Sequence, residues 1–352
     1  MRISVDIGFG YTKAVNEAGR TVSFPSVVGR RFASTLGGLL GGDQEDYVVG
    51  IRDNQDPEQD TPFVEYYVGD AAMAAGGNRT WEEEADKNQN LNILVATAVH
   101  LLLDNDEEVE LAVGLPMSFY NSQRKAIRDA LRTLNKVVTI RDKTKTIKIS
   151  NVFVFPQSAG VYYSVLHNID GSVKNHNLIN RPVGVIDVGH RTVDLLFMTR
   201  GKKGLLPRED LCGSEDLGMN EAHKIIQIET SALIKGNADL IEVEKALLWF
   251  NCEYDFKGQT FNIRNIRDRA YAAHAQKIIA WVKQKWSDEI NNLAAVIIGG
   301  GGGDALYSHF ESAFPGIMKV ENPSFGNAFG YLGAHALAKL AEMQEKALAQ
   351  KA

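Results

Sequence analysis

Residues 3–15, "ISVDIGFGYTKAV", decide the fold. An apolar run ends on Asp6 and Ile7, Gly8 and Gly10 follow, and Thr12 and Lys13 open a second apolar run. This pattern reads as strand, tight turn, strand. The order excludes two common phosphate-binding motifs. A dinucleotide fingerprint and a P-loop both need the glycine turn to open a helix, whose N-terminus then faces phosphate. Here the turn itself presents backbone N–H groups, and glycine lets the chain approach a ligand closely.

The same pattern returns half a chain later. "GVIDVGHRTVDLL" (184–196) again runs strand, Asp, aliphatic residue, Gly, short turn, strand. Asp187 corresponds to Asp6, Gly189 to Gly8, and Asp194 stands seven residues after its aspartate, as Lys13 does. This weak repeat, 181 residues apart, points to two domains that open with the same hairpin. Two such turns, one per domain, can clamp a polyphosphate from both sides. Two carboxylates beside a triphosphate repel it by several kcal/mol unless a cation intervenes. Mg²⁺ answers this, because it keeps waters and binds through one or two carboxylates plus phosphate oxygens. Asp6 and Asp187 are therefore expected around Mg²⁺ through water, with Asp187 polarising the attacking water. Lys13 meets the phosphates as a point charge.

Two further stretches join them. In "VIIGGGGGDAL" (296–306) a buried strand runs into five glycines and a helix. That placement argues against a flexible linker. Gly299, Gly300, Gly301 and Gly302 are expected under a nucleoside, with Asp304 capping the next helix. In "FPQSAG" (155–160) Gln157 sits just past a strand end. Glutamine is no strong base, but it orients water for phosphoryl transfer.

At 352 residues the chain has room for about two domains. A net charge of −6 argues against a surface built to grip nucleic-acid phosphates directly. Cys212 and Cys252 show no metal-ligand spacing and read as reduced thiols of a cytoplasmic protein. "LNILVATAVHLLL" (91–103) is too short to span a bilayer. "TVSFPSVV" (21–28) reads as a third extended run of the opening meander. Residues 33–62, rich in Gly, Asp and Gln, read as an irregular, exposed insertion. Helices are expected over 85–104, 122–134, 159–167, 219–235, 238–248 and 265–290, and from about Asn327 onward. Strands are expected over 108–116 and from 150 toward Pro156. Polar residues 168–182 read as a connection between domains.

Five segments occur in the order seen in the actin-like ATPase superfamily, and the chain resembles that family through them. "DIGFGYTK" (6–13) and "DVGHRTVD" (187–194) resemble its two phosphate loops, "PQSAG" (156–160) and "NAFGYLGA" (327–334) its connecting segments, and "GGGGG" (299–303) its adenosine loop. "FPSVVG" (24–29), "YVGDAA" (67–72) and "VGLP" (113–116) are similar to ParM-type plasmid-segregation actins and archaeal-type actin homologues. The helix "LGMNEAHKII" (217–226) resembles the element beside the adenine, which makes Gly218, Asn220 and Glu221 contacts there.

The resemblance implies an α/β protein of two domains, each with a ribonuclease H-like core of mixed sheet flanked by helices. Domain I is then 1–165, with a C-terminal helix 325–352 returning to it, and domain II is 166–324. It implies an ATP/ADP site with Mg²⁺ that includes Phe9, Tyr11 and Thr12 in the first turn and His190, Arg191 and Thr192 in the second. Phe9 and Tyr11 read as packing residues, and His190 as a satisfied turn residue. Arg191 either adds charge to the phosphate site or points into solvent. The resemblance further implies self-association into ATP-dependent filaments in the cytoplasm, and an adaptor protein that carries DNA at filament ends, without direct nucleic-acid or membrane binding. A filament in another cytoskeletal role and a small-molecule kinase share the fold.

Overall fold

The computed structural model describes residues 1–31, 47–54, 61–75, 77–79, 87–202 and 204–349. They divide into two compact units, Met1–His176 with Phe325–Ala352, and Asn177–Ser324.

The first unit holds strands β1 (Arg2–Ile7), β2 (Tyr11–Asn16), β3 (Thr21–Pro25), β4 (Val27–Arg30), β5 (Val48–Asp53), β6 (Val64–Val68), β7 (Asn78–Arg79), β8 (Glu107–Leu115), β9 (Asn135–Ile140) and β10 (Lys143–Pro156). Its helices before the chain leaves the unit are α1 (Asp70–Ala74), α2 (Lys87–Leu102), α3 (Met117–Arg132) and α4 (Gln157–Leu166). The strands form one sheet in the order β3-β2-β1-β8-β10-β9-β5-β6-β4-β7. β1 pairs antiparallel with β2 and parallel with β8, so it lies mid-sheet. Ile3, Val5 and Ile7 on one face and Ser4 and Asp6 on the other are all buried, as expected of a strand covered on both faces.

The second unit holds β11 (Val183–Val188), β12 (Val193–Gly201), β13 (Gly204–Pro207), β14 (Gly213–Glu215), α5 (Met219–Ile234), α6 (Leu240–Leu248), β15 (Glu253–Phe256), β16 (Gln259–Asn262), α7 (Arg264–Trp286), β17 (Ala295–Gly299), α8 (Gly300–Ala305), α9 (Tyr307–Ala313) and β18 (Met318–Lys319). Its main sheet runs β13-β12-β11-β17-β18. β11 is antiparallel to β12 and parallel to β17. That is the β3-β2-β1-β8-β10 pattern of the first unit over again. Trp286, fully buried at the end of α7, anchors the core and donates from Nε1 to the Leu211 carbonyl at 3.0 Å. α6 starts on Asp239, whose carboxylate accepts from the Glu242 backbone N–H at 3.0 Å.

The chain then returns to the first unit as α10 (Gly326–Ala349). α10 crosses α4 with backbone against backbone. A Cβ at Gly330 would lie 1.7 Å from the Gly160 carbonyl oxygen, and one at Gly160 would lie 2.6 Å from the Asn327 Cα. The Asn327 Oδ1 also accepts from the Val161 N–H at 3.1 Å.

Several sequence expectations need correction. The run 21–28 is broken at Ser26, and β4 leaves the meander to pair with β6 and β7. Within 33–62, residues 48–53 form a paired strand; the rest of that stretch except 47, 54, 61 and 62 lies outside the described residues. β10 begins at Lys143 rather than near 150, because it first pairs with β9. α4 begins at Gln157 itself, directly after the strand. Residues 167–176 stay with the first unit, where His167 bridges Val173. α7 stops at Trp286, and Ser287 with φ 43° starts a short 3₁₀ turn.

Candidate functional site

The two hairpin turns close alike. In the first, the Gly8 N–H donates to the Tyr11 carbonyl at 3.1 Å; in the second, the Gly189 N–H donates to the Thr192 carbonyl at 2.9 Å. In both, the glycine Cβ position is taken by that carbonyl oxygen, at 2.9 Å and 3.1 Å. A side chain there would push the closure open. The seven-residue offset is also a structural fact: Asp6 stands opposite Lys13 across β1 and β2, and Asp187 stands opposite Asp194 across β11 and β12.

In the first unit Asp6 is 8% exposed and Gln157 likewise. The Gln157 Nε2 donates to the Asp6 Oδ1 at 3.4 Å. So the strand end and the first residue of α4 do bring these two side chains together. Tyr331 of α10 donates its hydroxyl to the Gln157 carbonyl at 3.4 Å and stacks on Phe155. Gln157 is thus the N-terminal helix residue after Pro156 and also a neighbour of the aspartate. Thr12 is fully buried and shares a hydrogen bond with the Ser26 hydroxyl at 2.9 Å. Phe9 is half-buried and Gly10 buried. Tyr11 is 38% exposed and opens β2 at the turn, opposite Pro25.

Sequence reading missed Ser26. Its hydroxyl donates to the Gly8 carbonyl at 2.6 Å and its N–H to the Gly10 carbonyl at 2.9 Å. The break between β3 and β4 exists to place it there, and Ser before a strand restart is too common a pattern to flag it.

In the second unit Asp187 and Asp194 are both buried. Thr192 donates its hydroxyl to the Asp194 Oδ2 at 2.9 Å. Directly opposed like charges destabilise a strand pair, and burial raises the cost. A hard divalent cation is the partner that such an all-oxygen donor set fits. Arg191 donates to the Asp216 carboxylate at 3.2 Å and is 44% exposed, so its charge is shared with a surface acid.

The N-terminus of α5 is pinned to this turn. The N–H groups of Gly218, Met219 and Asn220 donate to the carbonyls of Arg191, Gly189 and His190 at 2.8, 3.1 and 2.8 Å. Gly218 is obligatory there, since a Cβ would lie 2.4 Å from the His190 carbonyl oxygen. Glu221 is exposed and 4.0 Å from Lys277.

The glycine run departs from expectation. Gly300 to Gly303 are not a loop; they form the first residues of α8. Gly300 has φ 79°, and a Cβ would lie 2.3 Å from the Val188 carbonyl oxygen and 2.6 Å from the Asp187 Oδ1. Gly302 leaves room for Val188 and Met219. Gly299 ends β17, and Gly301 is exposed. Asp304 caps nothing. It lies inside α8, α9 starts on Leu306 with no side-chain cap, and the Lys319 ammonium holds the Asp304 carboxylate at 3.0 Å. The run became helix because β17 delivers it straight into packing against β11.

The family model described as "Actin like proteins N terminal domain" matches residues 4–160, and the one described as "Archaeal actin homologue MreB-like, C-terminal" matches residues 185–312. The archaeal actin homolog of Thermoplasma acidophilum is 24% identical over 347 residues, covering 94% of this chain and 98% of the relative. A 15-stranded ParM filament from Clostridium botulinum has a subunit of the same fold, with TM-score 0.80, 25% identity and coverage of 95% of this chain and 99% of that one. An archaeal actin homolog solved in complex with ADP gives TM-score 0.72 at 20% identity, covering 95% and 98%. Matched family models over both units, and matched folds over nearly the full length, place the chain in the actin-like ATPase superfamily, among relatives that include ParM proteins and archaeal actin homologues.

Proposed function

We propose that this protein binds and hydrolyses ATP with Mg²⁺ and assembles into filaments when ATP is bound. The observation that carries the reading is the pair of identically closed hairpin turns, each with a buried aspartate at its strand end. Mg²⁺ would supply charge neutralisation for the triphosphate and these carboxylates. The chain's own groups do the rest. Asp6 and Asp187 would hold the ion through water, and Asp187 would polarise the attacking water. Gln157 would orient that water, with its Nε2 already engaged on Asp6. Lys13 would face the phosphates. Gly299 to Gly302 and the start of α5, with Gly218, Asn220 and Glu221, would receive the nucleoside.

Self-association is supported by the relative that forms a ParM filament, and by an apolar patch on the second unit. Leu248, Trp249 and Phe250 at the end of α6 are 72, 73 and 87% exposed. Adjacent large apolar side chains this open mark an interaction surface, and a second copy of this chain is the partner that a filament requires. The cellular role we assign is plasmid segregation through a DNA-bound adaptor at filament ends. A cytoskeletal filament in another role is the second reading, favoured by the nearly full-length match to archaeal actin homologs.

Sedimentation and electron microscopy with ATP and Mg²⁺ test the proposal. The wild-type chain should pellet as filaments and release phosphate, and Trp249→Glu with Phe250→Glu should stay in the supernatant. A chain that remains monomeric and consumes ATP only with an added small-molecule acceptor is a kinase, and the filament reading then fails.

A further inference from the structure

A second set of ligand-type side chains lies on the same unit, and two of its three members, His223 and Glu244, have no part in the nucleotide reading. His190 sits in the turn between β11 and β12, His223 in the first turns of α5, and Glu244 in α6. The Glu244 Oε1 lies 3.0 Å from the His223 Nδ1 and 3.8 Å from the His190 Nε2. One ligand atom from each of the three falls within 4.8 Å of the others. All three side chains are mostly buried, 13 to 18% exposed.

We propose that His190, His223 and Glu244 form a binding site for a late first-row divalent metal ion of the Zn²⁺ class. A tetrahedral Zn²⁺ with bonds of roughly 2.0–2.1 Å places its ligand atoms about 3.3 Å apart. The two Glu244 separations, 3.0 and 3.8 Å, bracket that spacing, and all three ligand atoms lie within 4.8 Å of one another, so side-chain adjustment alone can complete the site. Two imidazoles and one carboxylate leave a fourth position for water. Imidazole nitrogen selects Zn²⁺, Co²⁺, Ni²⁺ or Cu²⁺ over Mg²⁺, which prefers an all-oxygen octahedron. The site is therefore chemically distinct from the carboxylates at the two strand ends.

The surroundings support it. The Tyr271 hydroxyl of α7 lies 3.4 Å from the His223 Nε2. That hydroxyl can accept from Nε2–H, the tautomer in which Nδ1 would ligate, as around bound metals generally. The three ligands come from three separate elements, so a bound ion would cross-link the turn to α5 and α6. That turn already receives three backbone hydrogen bonds from the start of α5, and the ion would lock it further.

The test uses the untagged full-length chain, free of nucleotide, so that its outcome is independent of ATPase activity. Co²⁺ is titrated in and followed by the visible absorption of its four-coordinate form. The expected result is one Co²⁺ per chain, displaced by Zn²⁺ and not by excess Mg²⁺. His223→Ala and Glu244→Gln should abolish the band, Tyr271→Phe should weaken binding about 10-fold, and the exposed His176→Ala should leave it unchanged. Glu244→Gln keeps size and hydrogen bonding, and circular dichroism checks that each variant is folded. Binding unaltered in folded Glu244→Gln and His223→Ala, or a spectrum of six-coordinate Co²⁺ alone, overturns the proposal.

Discussion

In the first unit the turn after β1 rests on a serine side chain; in the second the turn after β11 rests on the start of a helix. Ser26 holds two carbonyls of the first turn, those of Gly8 and Gly10. Three consecutive N–H groups of α5 hold the second. The facing residues differ as well. Lys13 balances Asp6 across its strand pair, whereas Asp187 faces Asp194. One hairpin thus sets an acid opposite a base and is held partly by a side chain. The other is anionic and held by backbone.

The largest expected effect breaks the anionic pair. Asp187→Ala should slow phosphate release about 100-fold or more, as loss of a preorganised charge does, with nucleotide affinity largely retained. It should not lower the thermal midpoint, since it relieves an opposed carboxylate pair. Steady-state phosphate assays and calorimetry read both, and unchanged turnover would remove Asp187 from its role. Next, Gly218→Ala should cost about 1–3 kcal/mol by overpacking, because the new methyl meets the His190 carbonyl. Urea unfolding measures it; no loss would mean that α5 is not held against the turn.

Gln157→Ala should reduce turnover by roughly 100-fold, the low end for a positioned proton-transfer or water-orienting group, with KM for ATP little changed. Ser26→Ala should cost about 1 kcal/mol for its lost hydrogen bonds. Amide exchange should then speed up in residues 8–11 and not in 189–192, and equal acceleration in both turns would erase the distinction drawn here. The last effect, read over pH rather than by substitution, is electrostatic. Burial, with Lys145 nearby, lowers His100 to about 4, and burial lowers His335 to about 4 against the opposing pull of Glu110. Both belong to the first unit. Below about pH 6.5 the unfolded chain takes up protons that these folded imidazoles refuse. Stability should therefore fall as pH drops from 6.5 toward 4, and chemical unfolding across that window checks the sign.

The hairpins were legible because turn chemistry is local: Asp-aliphatic-Gly at a strand end carries its own conformation. The family order of five short segments was legible for the same reason. What escaped depends on distant pairing. Residues 48–53 look like more of a Gly- and Asp-rich stretch until β9 and β6 flank them. Residues 146–149 alternate polar and apolar, a strand signal, yet the continuation of β10 through Pro156 is fixed only by β8. Asp304 looked like a cap because the glycines looked like a loop, and only their packing against Val188 makes them helix. His190, His223 and Glu244 are spread over 55 positions, and nothing in the order of residues announces that they meet.

The return of α10 has a consequence for how the molecule is made. Ser4 in the first strand donates its hydroxyl to the Ala328 carbonyl at 2.5 Å, and Gly160 seats against Gly330. A ribosome therefore releases every residue of the second unit before the first can finish its core. Unit two is contiguous, 177–324, and is free to close while synthesis is still under way. Nascent chains stalled before residue 325 would carry an open groove along α4, making α10, translated after the second unit, the clasp that completes the unit begun before it.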